Sequence, residues 1–313
     1  MVEFMLGKRE VILYGEESAW GTAATRTLHL GLNTKWTPTD EVEWLEVQGA
    51  GTDTLNLVHS SGRKLVGGTL TFNPYDWAWL VYAIGSTTNT GTGPTVHTFT
   101  AQKTLPSFTM ERTINATTDR VRTYEGCKVK TCNIKWGKDG FVETTMEIIA
   151  KDVPNGTSAT SVNPRSSRTP FQSRQVIFTL NNVAKAYCVG GNINIDCRLT
   201  DGKYAYYGTD STLISEPESQ QRRYSGEFML HYLNDTEFDL WELIAAVSNT
   251  TLEFRKTAST DNCTITFTNF YIESATDPTN LEEANIVTIK WKADSISVVA
   301  NDAYTDYPIG VII

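Results

Sequence analysis

Apolar and polar residues alternate at every second position along most of the chain. "TLTF" at 69–72, "FVETTMEII" at 141–149, "QVIFTL" at 175–180, "NINIDCRL" at 192–199, "CTITFTNFYI" at 263–272 and "ANIVTIKWKA" at 284–293 each present one apolar and one polar face. That period of two predicts strands half-buried on a core. Turn formers separate the runs, and "GKDG" at 137–140, between "CNIKW" and "FVETT", predicts a hairpin. Two stretches change period. After "GGTLTF", Asn73 reads as a helix cap, Pro74 as the first helical residue and Asp76 as a first-turn acid, with Trp77, Leu80 and Ile84 at helical spacing. The same events recur in "SGEFMLHYLNDTEFDLWELIAAVS" at 225–248: a strand, Asn234 and Glu237 as a capping-box pair, then Phe238, Trp241 and Ala245 on one stripe.

The first helix carries a second apolar stripe, Tyr75, Trp79 and Tyr82, on a different face, and the second repeats it with Leu240, Ile244 and Val247. One sheet covers only one of two faces, so the extra stripe predicts a neighbouring subunit, with a long loop of the same chain as the alternative cover. Other fragments recur in order: "GTDTL" at 51–55 and "GTDSTL" at 208–213, then "TMEIIAKD" at 145–152 and "TIKWKAD" at 288–294. Four landmarks in one order predict a duplicated domain. The boundary falls in "VPNGTSATSVNPRSSRTP" at 153–170, where the apolar period disappears. The expected layout is a first β-domain over 1–153, a linker over 154–170 and a second β-domain over 171–313. The expected fold class is mainly β: two tandem β-sandwich or barrel domains, each flanked by one α-helix, with long loops.

Composition narrows the function more than the fold. A chain of 313 residues with 40% hydrophobic and 20% charged content supports two packed cores. The formal net charge of -9 argues against a surface that grips nucleic-acid phosphates, which needs clustered Lys and Arg. No apolar run approaches the roughly 20 residues of a membrane span, and "MVEFMLGKREVILYG" lacks the order of a signal peptide, so action where the chain is made is expected. Cys127, Cys132, Cys188, Cys197 and Cys263 form an odd set without CxxC, which predicts buried thiols rather than a disulfide framework or a zinc site. His29, His59, His97 and His231 lack HxxxH or HExxH spacing, no GxSxG elbow occurs, and "GAGTDT" at 49–54 lacks the lysine of a phosphate loop. No metal, cofactor or catalytic role is therefore expected. Paired glycosidase carboxylates assemble in space and are left open by this reading. The Trp- and Tyr-rich stretch keeps a carbohydrate-binding or adhesin module as a rival.

"YGEESAWGTAATRTLHLGLNTKW" at 14–36 and "LPSFTMERTINATTDRVRTYEGCKVKTCNIKWGKDGFVETTMEIIAKD" at 105–152 resemble the tail tube proteins of long-tailed bacteriophages and related head-tail viruses. The resemblance implies a structural virion protein whose subunits form stacked rings around a β-lined bore. A two-domain chain would close as a homotrimer with six-fold pseudo-symmetry. Implied partners are other copies of the chain, a tape-measure protein, terminator and baseplate proteins, and double-stranded DNA passing non-specifically. The implied location is the viral tail, after assembly in the host cytoplasm. A baseplate hub or tail-completion protein built on the same domain is the alternative. Lumen candidates are Glu143, Thr145 and Glu147 on one strand face and Lys290 and Lys292 on its counterpart, though strand period alone is equally consistent with a solvated outer face. Contacts between subunits are expected at Tyr75, Trp79, Tyr82, Leu240 and Ile244. Contacts between rings are expected in the segment 37–63, at Val42, Trp44, Leu45, Asp53 and Leu55.

Overall fold

The computed structural model describes residues 10–48, 57–91, 95–114, 120–156, 159–160, 168–185, 188–200, 215–231, 247, 249–256, 260–275, 286–304 and 307–310. In the first half the strands are β1 (Glu10–Glu16), β2 (Gly31–Pro38), β3 (Glu41–Gln48), β4 (Leu57–Pro74), β5 (Gly85–Thr90), β6 (Thr95–Ala101), β7 (Phe108–Ile114), β8 (Arg120–Trp136), β9 (Glu143–Ala150) and β10 (Asn155–Gly156). In the second half they are β11 (Val176–Leu180), β12 (Val183–Ala184), β13 (Cys188–Asp196), β14 (Arg223–His231), β15 (Thr250–Arg255), β16 (Asn262–Ala275) and β17 (Ile286–Asp302). Every pairing is antiparallel, and the molecule is mainly β, as its alternation predicts.

Each half builds a four-stranded inner sheet in the same order. In the first it runs β2–β4–β9–β8, in the second β13–β14–β17–β16. The registers coincide as well: Thr69 pairs with Glu147 and Glu147 with Thr131, while Glu227 pairs with Lys290 and Lys290 with Ser274. A β-bulge interrupts β8 between Val129 and Thr131, and another interrupts β16 between Ile272 and Ser274, the corresponding place. The register of β2 shifts before Lys35 and that of β13 before Gly190, again at matching positions.

The long strands β8 and β16 then bend out of the inner sheet into an outer one. Gly126 and Asn269 sit at equivalent points of the two bends, with φ of 65° and 50°. Glycine and asparagine tolerate this left-handed backbone, which most side chains avoid. Past the bend, β8 joins β7 and β1, and β16 joins β15 and β11. One contiguous core, with residues from both halves, fills the space between the sheets.

The halves are not separate bodies on a string. β8 pairs with β13 from Trp136↔Gly191 to Thr131↔Asp196, which fuses the two inner sheets into one of eight strands. The hairpin β5–β6 leaves the first half and pairs with β17, from Phe99↔Val298 to Thr95↔Asp302. In return, the tail of the second half lies on the first, where Thr87 N–H donates to the Ile309 carbonyl at 3.1 Å and Gly310 N–H to Glu16 Oε1 at 2.6 Å. The linker is held too: β10 pairs with β8, and Arg168 makes a buried ion pair with Asp76.

The helix expected from Asn73 is much shorter. β4 runs on to Pro74, paired with Gly31, and only a 3-10 turn (Ala78–Leu80) and one α-helical turn, α1 (Val81–Ile84), follow. Asn73 is a strand residue whose amide donates to the Val142 carbonyl at 2.9 Å. Asp76 instead closes a local turn just ahead of it, accepting from Ala78 N–H at 3.1 Å. Strand register outweighed a local capping signal, because each extra ladder position satisfies backbone groups that a cap satisfies only at one end. The second predicted helix, from Asn234, lies outside the described residues apart from Val247.

Candidate assembly surface

Alternation on the eight fused strands sends one set of side chains into the core and the other to an open face. Leu70, Met146, Ile148, Cys132, Ile134, Ile193, Phe228, Ile289 and Trp291 are buried on the inner set. The open face carries Thr69 and Thr71 of β4, Thr131 and Asn133 of β8, Asn192 and Asn194 of β13, and Ser225 and Glu227 of β14. All five lumen candidates lie on this same face. Glu143, Lys290 and Lys292 are exposed, and Thr145 and Glu147 are half-buried among neighbouring strands.

The face is polar but charge-compensated rather than acidic. The bulge residue Lys130 pairs with Glu147 at 2.9 Å, and Thr131 Oγ1 donates to the same carboxylate at 3.5 Å. At the matching bulge of the second half the polarity is inverted, with Glu273 paired to Lys292. Asn192 donates to Glu227 at 3.1 Å. A polar concavity of about 1040 Å³ opens here between Asn194, Asp196, Arg223, Ser225, Tyr271 and Lys292.

The fused sheet has two ends, β2 and the last part of β16. Among the described residues β2 pairs only with β4, and Tyr271–Ala275 of β16 pair only with β17. Such edges present unpaired N–H and C=O groups, a template for another strand. A third projecting feature is β3 with the first half of β4, joined from Glu41↔Leu65 to Gln48↔Leu57. This ribbon extends the segment expected to reach a neighbouring ring. Val42 on it is exposed, Trp44 and Leu45 oppose Ser61 and Ser60, and Asp53 and Leu55 lie outside the described residues. A two-stranded ribbon is marginal by itself and gains from a partner.

The aromatic stripe expected at a subunit contact is covered from within the chain. Trp79 and Tyr82 are 0% and 1% exposed, and Tyr75 is buried with them. Tyr82 packs against Tyr14 of β1 and Phe108 of β7, with ring centroids 5.9 and 4.6 Å apart. Trp79 packs on Phe72 at 5.3 Å, and Trp77 reaches Phe254 of the second half at 4.7 Å. The segment is wedged between the outer sheet of its own half and the other half, so the second covering surface is the rest of the chain. Leu240 and Ile244 lie outside the described residues.

What lay beyond sequence reasoning is the network closing the crossing between halves. His97 is buried, with Nδ1 2.8 Å from Asn89 Oδ1 and Nε2 3.0 Å from Asp302 Oδ1. Tyr307 stacks on the imidazole at 3.6 Å, donates to Asp302 Oδ2 at 2.7 Å and accepts from Trp77 N–H at 3.0 Å. Burial, reinforced by Asp76 and Asp302, pushes the Tyr307 phenol well up and keeps it a donor. Alternation marks His97 as strand, but nothing local announces a partner 205 residues away.

Chemistry elsewhere is subdued. Burial pushes the Cys188 thiol up to about 11 and that of Cys197 to about 12, far from the thiolate a nucleophile requires. No group of three or more His, Cys, Asp or Glu able to hold a metal occurs among the described residues, and no helix among them is long and apolar enough to cross a membrane.

A family model described as "Phage tail tube protein" matches residues 7–300, nearly the whole chain. The chain belongs to the phage tail tube protein family. That family is structural rather than enzymatic, and membership makes this a component of the viral tail that assembles with copies of itself and other tail parts. No curated protein matches the chain. The polar face, the two open edges and the projecting ribbon are thus the surfaces of this tail tube protein to weigh for assembly.

Proposed function

We propose that this tail tube protein is the repeating subunit of the tube of a long-tailed virus, built from one domain used twice, and that its rings close through the free edges of the inner sheet. The observation that carries the reading is the β8·β13 pairing. It joins equivalent blocks head to tail within one chain and leaves β2 and the last part of β16, the counterparts of β13 and β8, each with one side unpaired among the described residues. Pairing β16 of one chain with β2 of the next repeats the internal contact, and a head-to-tail contact that closes by rotation makes a ring without sheet edges.

Three chains suit a conduit. Twenty-four strands about 4.8 Å apart and tilted by about 40° close at roughly 48 Å between backbones, and inward side chains leave roughly 38 Å. Two chains would leave roughly 22 Å on the same geometry, about the width of a bare duplex with no room for its hydration. The open face then lines the bore. Its compensated charges and its hydroxyl and amide groups offer phosphate no cationic cluster to hold, so DNA slides past during ejection. The β3–β4 ribbons reach the next ring, the tape-measure protein fills the bore before ejection, and assembly takes place in the host cytoplasm. The sugar-binding alternative rested on the Trp-rich stretch, which is buried.

Electron microscopy of the purified chain, concentrated in assembly-favouring salt, tests this. Expected are hollow rings with three-fold averages and six arcs, stacking into tubes. Amides within 36–41 and at Ser274 and Ala275 that are not bonded to β4 or β17, the counterparts of the internally paired β13 and β8 residues, should gain protection from hydrogen exchange only on assembly. Single rings that never stack would turn the assignment toward a hub or tail-completion role. Monomers at every concentration would overturn it.

A further inference from the structure

In the proposed ring, three joints lie within chains and three between them. We infer that they are unequal: the β5–β6 hairpin clamps each internal joint and, among the described residues, has no counterpart between chains, so the ring closes and opens only at the β16–β2 joints. The inequality rests on the ring reading. The clamp itself rests on the single chain.

Chain length carries the argument. Between β4 and β7 lie residues 75–107, which hold the helical turns and the 17-residue hairpin 85–101. The corresponding stretch between β14 and β15 is 232–249, and Val247 is already back on the sheet, its N–H donating to the Phe270 carbonyl at 2.7 Å. The fifteen residues 232–246 are fewer than the hairpin alone occupies. That connection is therefore too short to send a hairpin of the same length across to the next subunit.

The receiving edges differ in the same sense. In the second half the outer edge of β17 is taken by β6. The equivalent edge in the first half is β10, because Asn155↔Arg122 corresponds to Val298↔Ile265, and among the described residues β10 pairs only with β8. The clamp adds a strand ladder, the buried His97–Asp302–Tyr307 network and the returning tail to the six-residue β8·β13 pairing. Among the described residues none of these has a counterpart at the ends where β16 would meet β2. A two-domain chain so built behaves as one rigid third of a ring.

The test uses the full chain with a specific protease site placed within 161–167. Cut protein should elute as a 1:1 pair at the size of the intact chain. His97→Ala or Phe99→Ala, each checked for folding before cutting, should weaken the pair at least tenfold in dilution or urea titrations, while Thr88→Ala on the exposed side of β5 should not. Halves that part freely on cutting, or pairs indifferent to both β6 variants, overturn the clamp. For the ring, isotopically heavy and light chains are co-assembled, cut, gently dissociated and weighed by native mass spectrometry. Expected are pairs uniformly heavy or uniformly light, whereas mixed pairs near the random proportion overturn the inequality. If no ring forms, the ring reading fails with the inequality, and the titrations still judge the clamp.

Discussion

The two halves share the strand order and registers of their inner sheets and fill them differently. Where the first half places Leu70, Ile148, Cys127 and Ile12 on its inner surface, the second places Phe228, Trp291, Phe270 and Phe178 at the corresponding positions. These rings form a ladder, with Phe228 stacked on Phe178 at 3.9 Å and on Trp291 at 5.4 Å. At these four positions the first half has no aromatic ring, and the covering segment supplies Trp77, Trp79 and Tyr82. A sheet can fill its core with its own large side chains or borrow them from a segment laid over it. The half with the shorter connection between its second and third inner strands does the former.

The comparison is broken most forcefully inside the ladder. Trp291→Ala should destabilise by about 3–5 kcal/mol, and Ile148→Ala at the equivalent site by nearer to 2 kcal/mol, because less area and a smaller cavity are involved. Urea unfolding reads both, and equal costs would mean that the two cores are interchangeable. A second contrast is acid sensitivity. Burial pushes the Glu111 carboxyl up, but hydrogen bonds from Thr160 N–H and Oγ1 and from Arg26 outweigh it, and the net value lies below the ordinary 4.5. A depressed folded-state value contributes stability that is complete above the ordinary carboxylate range and is lost as pH falls through the lowered value. The equivalent residue of β15 is Thr251. Hydrogen exchange at falling pH should therefore see β1 and β7 open before β11 and β15, and Glu111→Gln should flatten that dependence. The smallest effect belongs to the inverted ion pairs at the bulges. Both are substantially open to solvent, so Glu147→Gln or Lys292→Gln should shift stability by less than about 1 kcal/mol in the same urea titration.

Much of this was legible in advance. Period-two alternation located the strands of the inner sheet except β2 and put Glu143, Thr145 and Glu147 on one face, because side-chain direction in a strand is a local property. The recurring fragments predicted a duplicated domain; the inner sheets of the two halves share strand order and registers, and the fragments at 51–55 and 208–213 lie outside the described residues. The Asn73–Pro74 helix start misled, since a cap is judged locally while β4 answers to partners on β2 and β9. The demand of Tyr75, Trp79 and Tyr82 for a second covering surface was sound. Its supplier, the other half and the outer sheet, comes from residues distant in sequence.

Local stereochemistry and hydrophobic period were enough, from the residues alone, to establish β-structure and the facing of its strands. Only tertiary packing decided that the two sheets fuse through β8 and β13, that β6 crosses to β17, and that the ends left over are β2 and β16. The reason is physical: a strand's own sequence sets which way its side chains point, but which strand lies beside it is settled by the whole chain competing to satisfy backbone groups and bury apolar area at once.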